Sequence, residues 1–390
     1  MKIGLVLPAI PAYSETFFRS KIEGLKREGH EVLLFVKEPP TYSFDLCNVV
    51  VAPSLYRFHK RWFWEWFRVI GYLLFNFPKA FRLFSLHFKN ENSYFKAFQN
   101  VLINAHFLPY TLDWLHFGFG TLALGRIHVA EAIGAQMGVS FRGFDLFIYP
   151  VKHPGCYREL FSKTVCYHVL SEQMKQHLMA CGVPEHFIQI IPPALKLEDF
   201  KPSDRALASP YRLLTVGRLH WKKGLESVLT ALAILQQEGV DFTYTIVGSG
   251  PELERLQFAV YQLGLTERVF FKGKLPHAEV LALYQDHQIY IQYSFQEGFC
   301  NAVLEAQASG LLCVVSDADG LDENILHGVT GWVVPKRNPK ALAAQLIEVT
   351  QLSPAVQSEF RARAYKRVQA LYGLELQQQS FAAFYSQKRD

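Results

Sequence analysis

The stretch RLLTVGRLHWKKG, from Arg212 to Gly224, is a short apolar strand that runs through a glycine and a basic turn to a second glycine. A helical pattern follows at Leu225 to Gln237, and after it a second strand, FTYTIVG, from Phe242 to Gly248. Strand, helix and strand in this order predict a crossover unit of a parallel sheet. The alternation continues with RVFFKG at Arg268 to Gly273, IYIQY at Ile289 to Tyr293 and LLCVVS at Leu311 to Ser316, each separated by a helix-length segment. Upstream, the chain opens in the same way: KIGLVLP at Lys2 to Pro8, a helical pattern at Thr16 to Arg27, then EVLLFV at Glu31 to Val36. The expected fold class is therefore α/β, doubly wound in both halves, and 390 residues suit two domains of the usual ~150 residues.

KPSDRALASP at Lys201 to Pro210 has the composition of a linker. It places the domains at 1–200 and 211–352, with helices over 353–390 that could pack on either. Ligands of open parallel sheets bind beyond the C-terminal strand ends, so two facing domains would form a cleft. Half of the residues are apolar and 19% are charged, which excludes disordered and collagen-like chains. The cysteines (Cys47, Cys156, Cys166, Cys181, Cys300, Cys313) show no CxxC pair or metal-ligand spacing, so reduced thiols are expected. KIGLVL begins a strand at once, without room for a signal peptide. The longest apolar stretch, Val69 to Phe77, is broken by Gly71 and Asn76 and closed by Pro78, short of the ~20 residues of a membrane span. A cytoplasmic location is the expectation.

Two stretches carry chemistry. In GRLHWKKG, Gly217 to Gly224, a strand-to-helix turn with Arg218 and Lys223 has the makings of a diphosphate site, although the Walker A pattern is absent and a solvated surface loop has the same composition. In EGFCNAVLEAQASG, Glu297 to Gly310, a helix should begin near Asn301, so Glu297 lies in the loop and Glu305 in the first turns. The N–H groups of Phe299 to Ala302 could take an anion, Glu305 the diol of a ribose, and Glu297 a sugar hydroxyl. Cys300 reads as a small packing residue rather than a nucleophile. GSGP at Gly248 to Pro251 lacks the third glycine of a dinucleotide fingerprint, so NAD is not expected.

Together with VGSGPELERL (Val247 to Leu256) and DADGLDENILHGVTGWVV (Asp317 to Val334), these elements resemble the retaining glycosyltransferases of family four, over most of Tyr211 to Pro335. The N-terminal half resembles them less, through PAIPAYSETFFRSKIEGLKREGHEV (Pro8 to Val32) and VLSEQMKQHLMACGVPEHFIQIIPPALKLEDFKP (Val169 to Pro202), which look like the bacterial exopolysaccharide and colanic-acid-type members. The resemblance implies the GT-B fold, two facing Rossmann-like domains, and transfer of a sugar from a nucleotide-diphosphate-sugar donor with retention of configuration. It implies that Gly217, Arg218 and Lys223 bind the diphosphate, that Glu297 contacts the donor sugar with Gly298, Phe299, Cys300, Asn301 and Ala302 beside it, and that Glu305 takes the ribose. Gly273, Lys274 and Leu275 would meet the base. No metal and no cofactor are required.

On the acceptor side the resemblance points to Glu15, Thr16, His116 and Arg142. The catalytic set it implies is Glu297, His116, Arg218 and Lys223. Two departures stand out: the family's HAHFG is His116-Phe117-Gly118-Phe119-Gly120 here, and its FHGxD is Phe141-Arg142-Gly143-Phe144-Asp145. An arginine can bind an anion but cannot serve as a base. His116 is thus open to an acceptor-side role or to that of a buried structural histidine, and Glu15 and Thr16 to helix capping or substrate contact. Another GT-B reaction, such as nucleotide-sugar epimerisation, and a degenerate nucleotide-sugar-binding scaffold remain alternatives.

The net charge of +5 has an address. Residues 51–100 carry eight Lys and Arg against two Glu, an excess of six, along with WFWEWF at Trp62 to Phe67 and a series of Phe up to Phe98. Tyr56 to Phe98 could lie on an anionic membrane, where a glycan or lipid-linked acceptor would sit, or form core helices with snorkelling basic side chains. No nucleic-acid-binding signature accompanies it.

Overall fold

The computed structural model describes residues 1–11, 16–40, 42–55, 62–91 and 93–387. The chain forms two compact units, Met1–Leu170 with Met174–Ile191 and Gln378–Asp390, and Ser171–Gln173 with Pro192–Gln377. Of the residues singled out in the sequence, Glu15 and residues 56–61 lie outside the described residues.

In the first unit the strands are β1 (Lys2–Leu7), β2 (Glu31–Val36), β3 (Asn48–Val51), β4 (Trp114–Phe117), β5 (Gln136–Ser140), β6 (Cys166–Val169) and β7 (Ile188–Ile190), in the spatial order β3-β2-β1-β4-β5-β6-β7. All pairs are parallel. The apolar runs are near-continuous because both faces are covered: one face of β1 and β2 packs against helix α1 (Thr16–Arg27) and against Phe381, Phe384 and Tyr385.

The second unit holds β8 (Tyr211–Val216), β9 (Phe242–Val247), β10 (Val269–Gly273), β11 (Ile289–Gln292), β12 (Leu312–Ser316) and β13 (Trp332–Val334), ordered β10-β9-β8-β11-β12-β13 and again parallel. Its sheet is covered on both sides, by a cluster built on helices Leu225–Gln237 and Pro339–Thr350 and by one built on helix Asn301–Ala308. In each unit the strand order reverses once, between β1 and β4 and between β8 and β11. Such a switch point opens a crevice at the C-terminal strand ends.

The division differs from the boundaries drawn from sequence. Residues 192–200 belong to the second unit because Leu195 bridges Gly373, donates its N–H to Tyr372 O at 2.8 Å, and is buried with Phe200 against Leu304, Ala308 and Val368. The C-terminal helices also separate: Pro354–Leu371 lies in the second unit, whereas the chain from Gln378 joins the first.

Between β3 and β4 the chain runs through three helices, α2 (Trp62–Phe75), α3 (Phe77–Glu91) and α4 (Tyr94–Asn104). The break between α2 and α3 falls at Asn76, two residues before Pro78, which sits in the first turn of α3 where its missing N–H costs nothing. α3 packs on α4, with the Phe88 and Tyr94 rings 4.2 Å apart, and Lys79 Nζ donates to Leu108 O and Tyr110 O at 3.0 and 3.1 Å. No helix among the described residues is long and apolar enough to cross a membrane.

Candidate functional site

The crevice at the switch point of the second unit is framed by the loops that leave β8 and β11. The first, Gly217 to Gly224, is fixed on both flanks. Gly217 and Leu219 donate their N–H groups to Val247 O and Ser249 O at 2.9 and 3.0 Å, and Phe295 donates to Lys222 O at 2.7 Å. Gly248, at φ +140°, lies so close to this loop that a Cβ would overlap Gly217 O. Gly224 turns the chain into the next helix at φ +61°, where a Cβ would overlap Tyr293 O. Both positions demand glycine for conformation and for space.

Arg218, Lys222 and Lys223 leave this loop. Arg218 is exposed and Lys222 is half-buried. Burial lowers the Lys222 ammonium from its usual range, and the positive charges of Lys223 and Arg218 push it the same way against the pull of Glu297. Lys223 forms an ion pair with Glu297 in which the side chains are 12% and 8% exposed. Burial works against the Lys223 charge, but Glu297, with Cys300, more than offsets it and the ammonium is raised above its ordinary value.

Glu297 is held from behind. Ser294 Oγ donates to Glu297 Oε1 at 2.8 Å, the same oxygen that takes Lys223, and accepts from Gln292 Nε2 at 2.8 Å. Gln292 Oε1 lies 3.0 Å from Tyr290 OH, which also lies 3.2 Å from Val216 O at the end of β8. Tyr290, Gln292 and Ser294 have no solvent exposure. The result is a buried hydrogen-bonded path from the start of the basic loop to one carboxylate oxygen. Among the described residues, no donor reaches the other oxygen, Glu297 Oε2.

The helix after this loop begins at Asn301. Its entry is fixed by Asn324, which accepts from Cys300 N–H at 3.1 Å and donates to Cys300 O at 3.3 Å. Burial pushes the Cys300 thiol up to about 11, and the Val303 N–H donates to Cys300 O at 3.2 Å. Of the four N–H groups expected to be open to an anion, that of Cys300 already has a partner in Asn324. Gly298 packs under Gly320, where a Cβ would overlap its carbonyl oxygen, and the Phe299 ring lies 5.5 Å from that of Tyr372. Glu305 accepts from Tyr284 OH at 3.0 Å and lies 3.7 Å from His277 Nε2. The nearness of the Glu305 carboxylate is the main cause that raises His277 above its ordinary value. Gly273 ends β10 and accepts from Gly248 N–H at 2.8 Å, so the Gly273, Lys274 and Leu275 turn is tied to the turn that braces the basic loop.

In the first unit His116 is fully buried on β4. Its Nε2 lies 2.7 Å from Ser140 Oγ and 3.3 Å from Lys21 Nζ, and its Nδ1 2.9 Å from Tyr385 OH. Ser140 Oγ is 2.7 Å from His168 Nδ1, whose opposite nitrogen is 2.9 Å from Ile191 O. One set of tautomers satisfies the histidine, serine and tyrosine members of the array: His168 Nε2–H donates to Ile191, Ser140 to His168, His116 Nε2–H to Ser140, and Tyr385 to His116. Lys21 is buried on a Phe381 ring with its Nζ 4.2 Å from the centroid. Burial, then the charge of Arg142, holds it well below the usual lysine range. Arg142 stacks over Phe17 at 4.0 Å, and its N–H donates to Asp145 at 3.2 Å. Thr16 supplies the first residue of α1. Sequence reasoning missed Lys21, Ser140, His168 and Tyr385, as it missed Ser294, Gln292 and Tyr284.

No group of three or more potential metal ligands occurs among the described residues. Residues 198–368, which contain the whole crevice, match the family model described as glycosyl transferases group 1. The chain carries a glycosyl transferases group 1 domain and is a glycosyltransferase. Among curated relatives, this glycosyltransferase is 30% identical over 262 residues to the amylovoran biosynthesis glycosyltransferase AmsK of Erwinia amylovora, a match covering 64% of either chain. It is 26% identical over 391 residues, 95% of either chain, to the putative colanic acid biosynthesis glycosyltransferase WcaL of Escherichia coli K12. Among solved structures it resembles sucrose-phosphate synthase from Thermosynechococcus elongatus, with a TM-score of 0.75, 19% identity and coverage of 99% and 98% of the two chains. Anabaena Alr3699/HepE in complex with UDP-glucose follows with a TM-score of 0.71, 15% identity and 99% of both chains. Its two Rossmann-like units are those of the GT-B architecture.

Proposed function

We propose that this glycosyltransferase moves a hexosyl group from a nucleoside-diphosphate sugar, bound by the second unit, to a glycan or lipid-linked sugar taken by the first, with retention at the anomeric carbon and without a metal. The observation that carries the reading is Glu297: a carboxylate fixed through Oε1 by Lys223 and Ser294, with Oε2 left to hold a donor-sugar hydroxyl. Relatives named for amylovoran and colanic acid biosynthesis support an exopolysaccharide acceptor, and a similar fold in complex with UDP-glucose supports the donor class.

In this reading the C1–O bond to the diphosphate breaks with its electron pair leaving on the β-phosphate. Arg218, Lys222 and Lys223 neutralise that growing charge from preset positions. The acceptor hydroxyl attacks C1 from the same face and passes its proton to a β-phosphate oxygen, which balances the step. Gly273 to Leu275 meet the base, Glu305 the ribose, and Arg142 an anionic group of the acceptor. His116 acts through the array that sets its tautomer. The enzyme works at the cytoplasmic membrane face, where a lipid-linked acceptor is presented.

The test is a thermal-shift panel of UDP-, GDP-, ADP- and dTDP-sugars, because a ligand of the native state raises Tm, followed by assay of nucleotide release with a soluble acceptor. One donor should stabilise the protein and be turned over. Stabilisation by none of them, or near-normal turnover by Lys223→Ala, overturns the proposal.

A further inference from the structure

The helices α2 to α4 do not form an ordinary core. Eleven of the twenty-four large hydrophobic side chains exposed among the described residues lie between Phe63 and Phe98. In α2 only Val69 is buried. Phe63, Phe67, Ile70 and Leu74 recur at the 4-3-4 spacing that puts them on one helix face, all exposed. Phe75, at the break before α3, is 90% exposed, and Phe77 and Phe81 continue the apolar surface on α3. Phe95 and Phe98 do so on α4. Patches of this extent on a folded protein mark a surface that something covers.

We propose that this surface docks on an anionic lipid bilayer, with α2 lying in the headgroup plane and its aromatic side chains in the acyl boundary. Charge and composition select that occupant. Arg82, Lys89 and Lys96 are exposed on the same two helices, α3 and α4, and none of them forms an ion pair among the described residues. Glu65, the described acidic side chain of the segment, is already engaged by Arg68 at 3.2 Å. Surfaces that meet a protein partner are depleted in lysine, which this one is not, whereas Trp, Phe and Tyr interleaved with Lys and Arg is the chemistry of a helix at a lipid headgroup layer. At 14 and 15 residues, α2 and α3 are too short to cross a bilayer, so the helices lie on it. The docking rests on the proposed lipid-linked acceptor for its purpose, since it would bring the first unit to the plane in which that acceptor is held.

Co-flotation of the full chain with phosphatidylglycerol–phosphatidylcholine vesicles, with pure phosphatidylcholine vesicles, and with the first mixture at high salt tests it. The wild type should float with the anionic vesicles at low salt and much less in the other two arms. The pair Phe67→Ser and Phe75→Ser should weaken that binding at least about tenfold, and Arg82→Gln with Lys89→Gln and Lys96→Gln should remove the preference for anionic lipid. Both variants should keep the wild-type Tm and transfer to a water-soluble acceptor without vesicles. Absence of binding to anionic vesicles, or binding by Phe67→Ser/Phe75→Ser equal to wild type, overturns the inference. So does a dimer that this variant dissolves in the absence of lipid, which would assign the surface to a second copy. Loss of transfer in the vesicle-free assay by the wild type would count against the proposed function and leave the docking result standing.

Discussion

Lys223 and Glu297 form a buried ion pair that occupies one carboxylate oxygen, Oε1, while no donor among the described residues reaches the other, Oε2. The pair joins the two loops, so each partner has both a structural and a chemical task. Glu297→Gln keeps the shape but withdraws the charge. It leaves a buried ammonium unbalanced and weakens the hold on a donor hydroxyl. The expected outcome is a fall in kcat of about a hundredfold or more and a loss of stability of about 3 kcal/mol. Both are read from turnover and urea unfolding, and a variant with normal kcat would remove Glu297 from the donor site.

Ser294 tests whether the path behind Glu297 matters. It has no exposure, so it cannot contact substrate; its hydroxyl accepts from Gln292 Nε2 and donates to Glu297 Oε1. Ser294→Ala should lower kcat about tenfold with a smaller change in the donor KM, for the loss of one hydrogen bond to a charged group. In the Glu297→Gln background the same substitution should cost much less, because the group it positions is already impaired. Equal effects in both backgrounds would make Ser294 a packing residue.

The second unit was legible in the sequence because its central strands β9, β11 and β12 are apolar runs buried on both faces, and because a glycine-bounded basic turn follows the first strand. The middle of the first unit was not. β4, β5 and β6 are four or five residues long and carry His116, Ser140 and His168. Those polar side chains look unfit for a sheet interior until their pairing is seen. In register, His116 stands opposite Gly138 and Ser140 opposite His168, and Gly138 is a glycine because a Cβ there would press on the His116 ring at 2.7 Å. Glu297 and Glu305 were readable from their place after a strand. Ser294, Gln292 and Tyr290 were not, since only β11 and its exit bring them into line. For the aromatic segment, composition allowed a core or a surface, and exposure decides for the surface.

Gly224 offers a test of the loop independent of charge. Its φ of +61° and the approach of Tyr293 O leave no room for a methyl group. Gly224→Ala should cost about 2–4 kcal/mol and displace Lys223, which precedes it. Donor-induced stabilisation in a thermal-shift assay should then vanish even at temperatures where the variant is folded. If Gly224→Ala binds donor like the wild type, the loop is not the rigid anion cradle described.

The buried bases of the first unit give stability a pH slope. Burial, then neighbouring cations, depresses His116 and His168 well below their ordinary range, and burial with Arg126 brings His106 down to about 3. A base depressed in the folded state contributes stability that is present above its unfolded value, ~6.5, and is lost as pH falls, because the unfolded chain takes up protons that the folded chain refuses. Asp145 runs the other way. Burial raises it to about 6, so its folded form gains stability as pH drops from about 6 toward ~3.8. Three histidines against one carboxyl leave a net loss, up to about 1.4 kcal/mol per pH unit for each uncompensated histidine. Urea unfolding at pH 8, 6.5 and 5.5 should show the first unit's midpoint falling below pH 6.5, and Asp145→Asn should steepen the fall below pH 6. A midpoint unchanged from pH 8 to 5.5 would mean that these histidines are protonated in the folded unit, and with that the neutral tautomer assigned to His116 would fail.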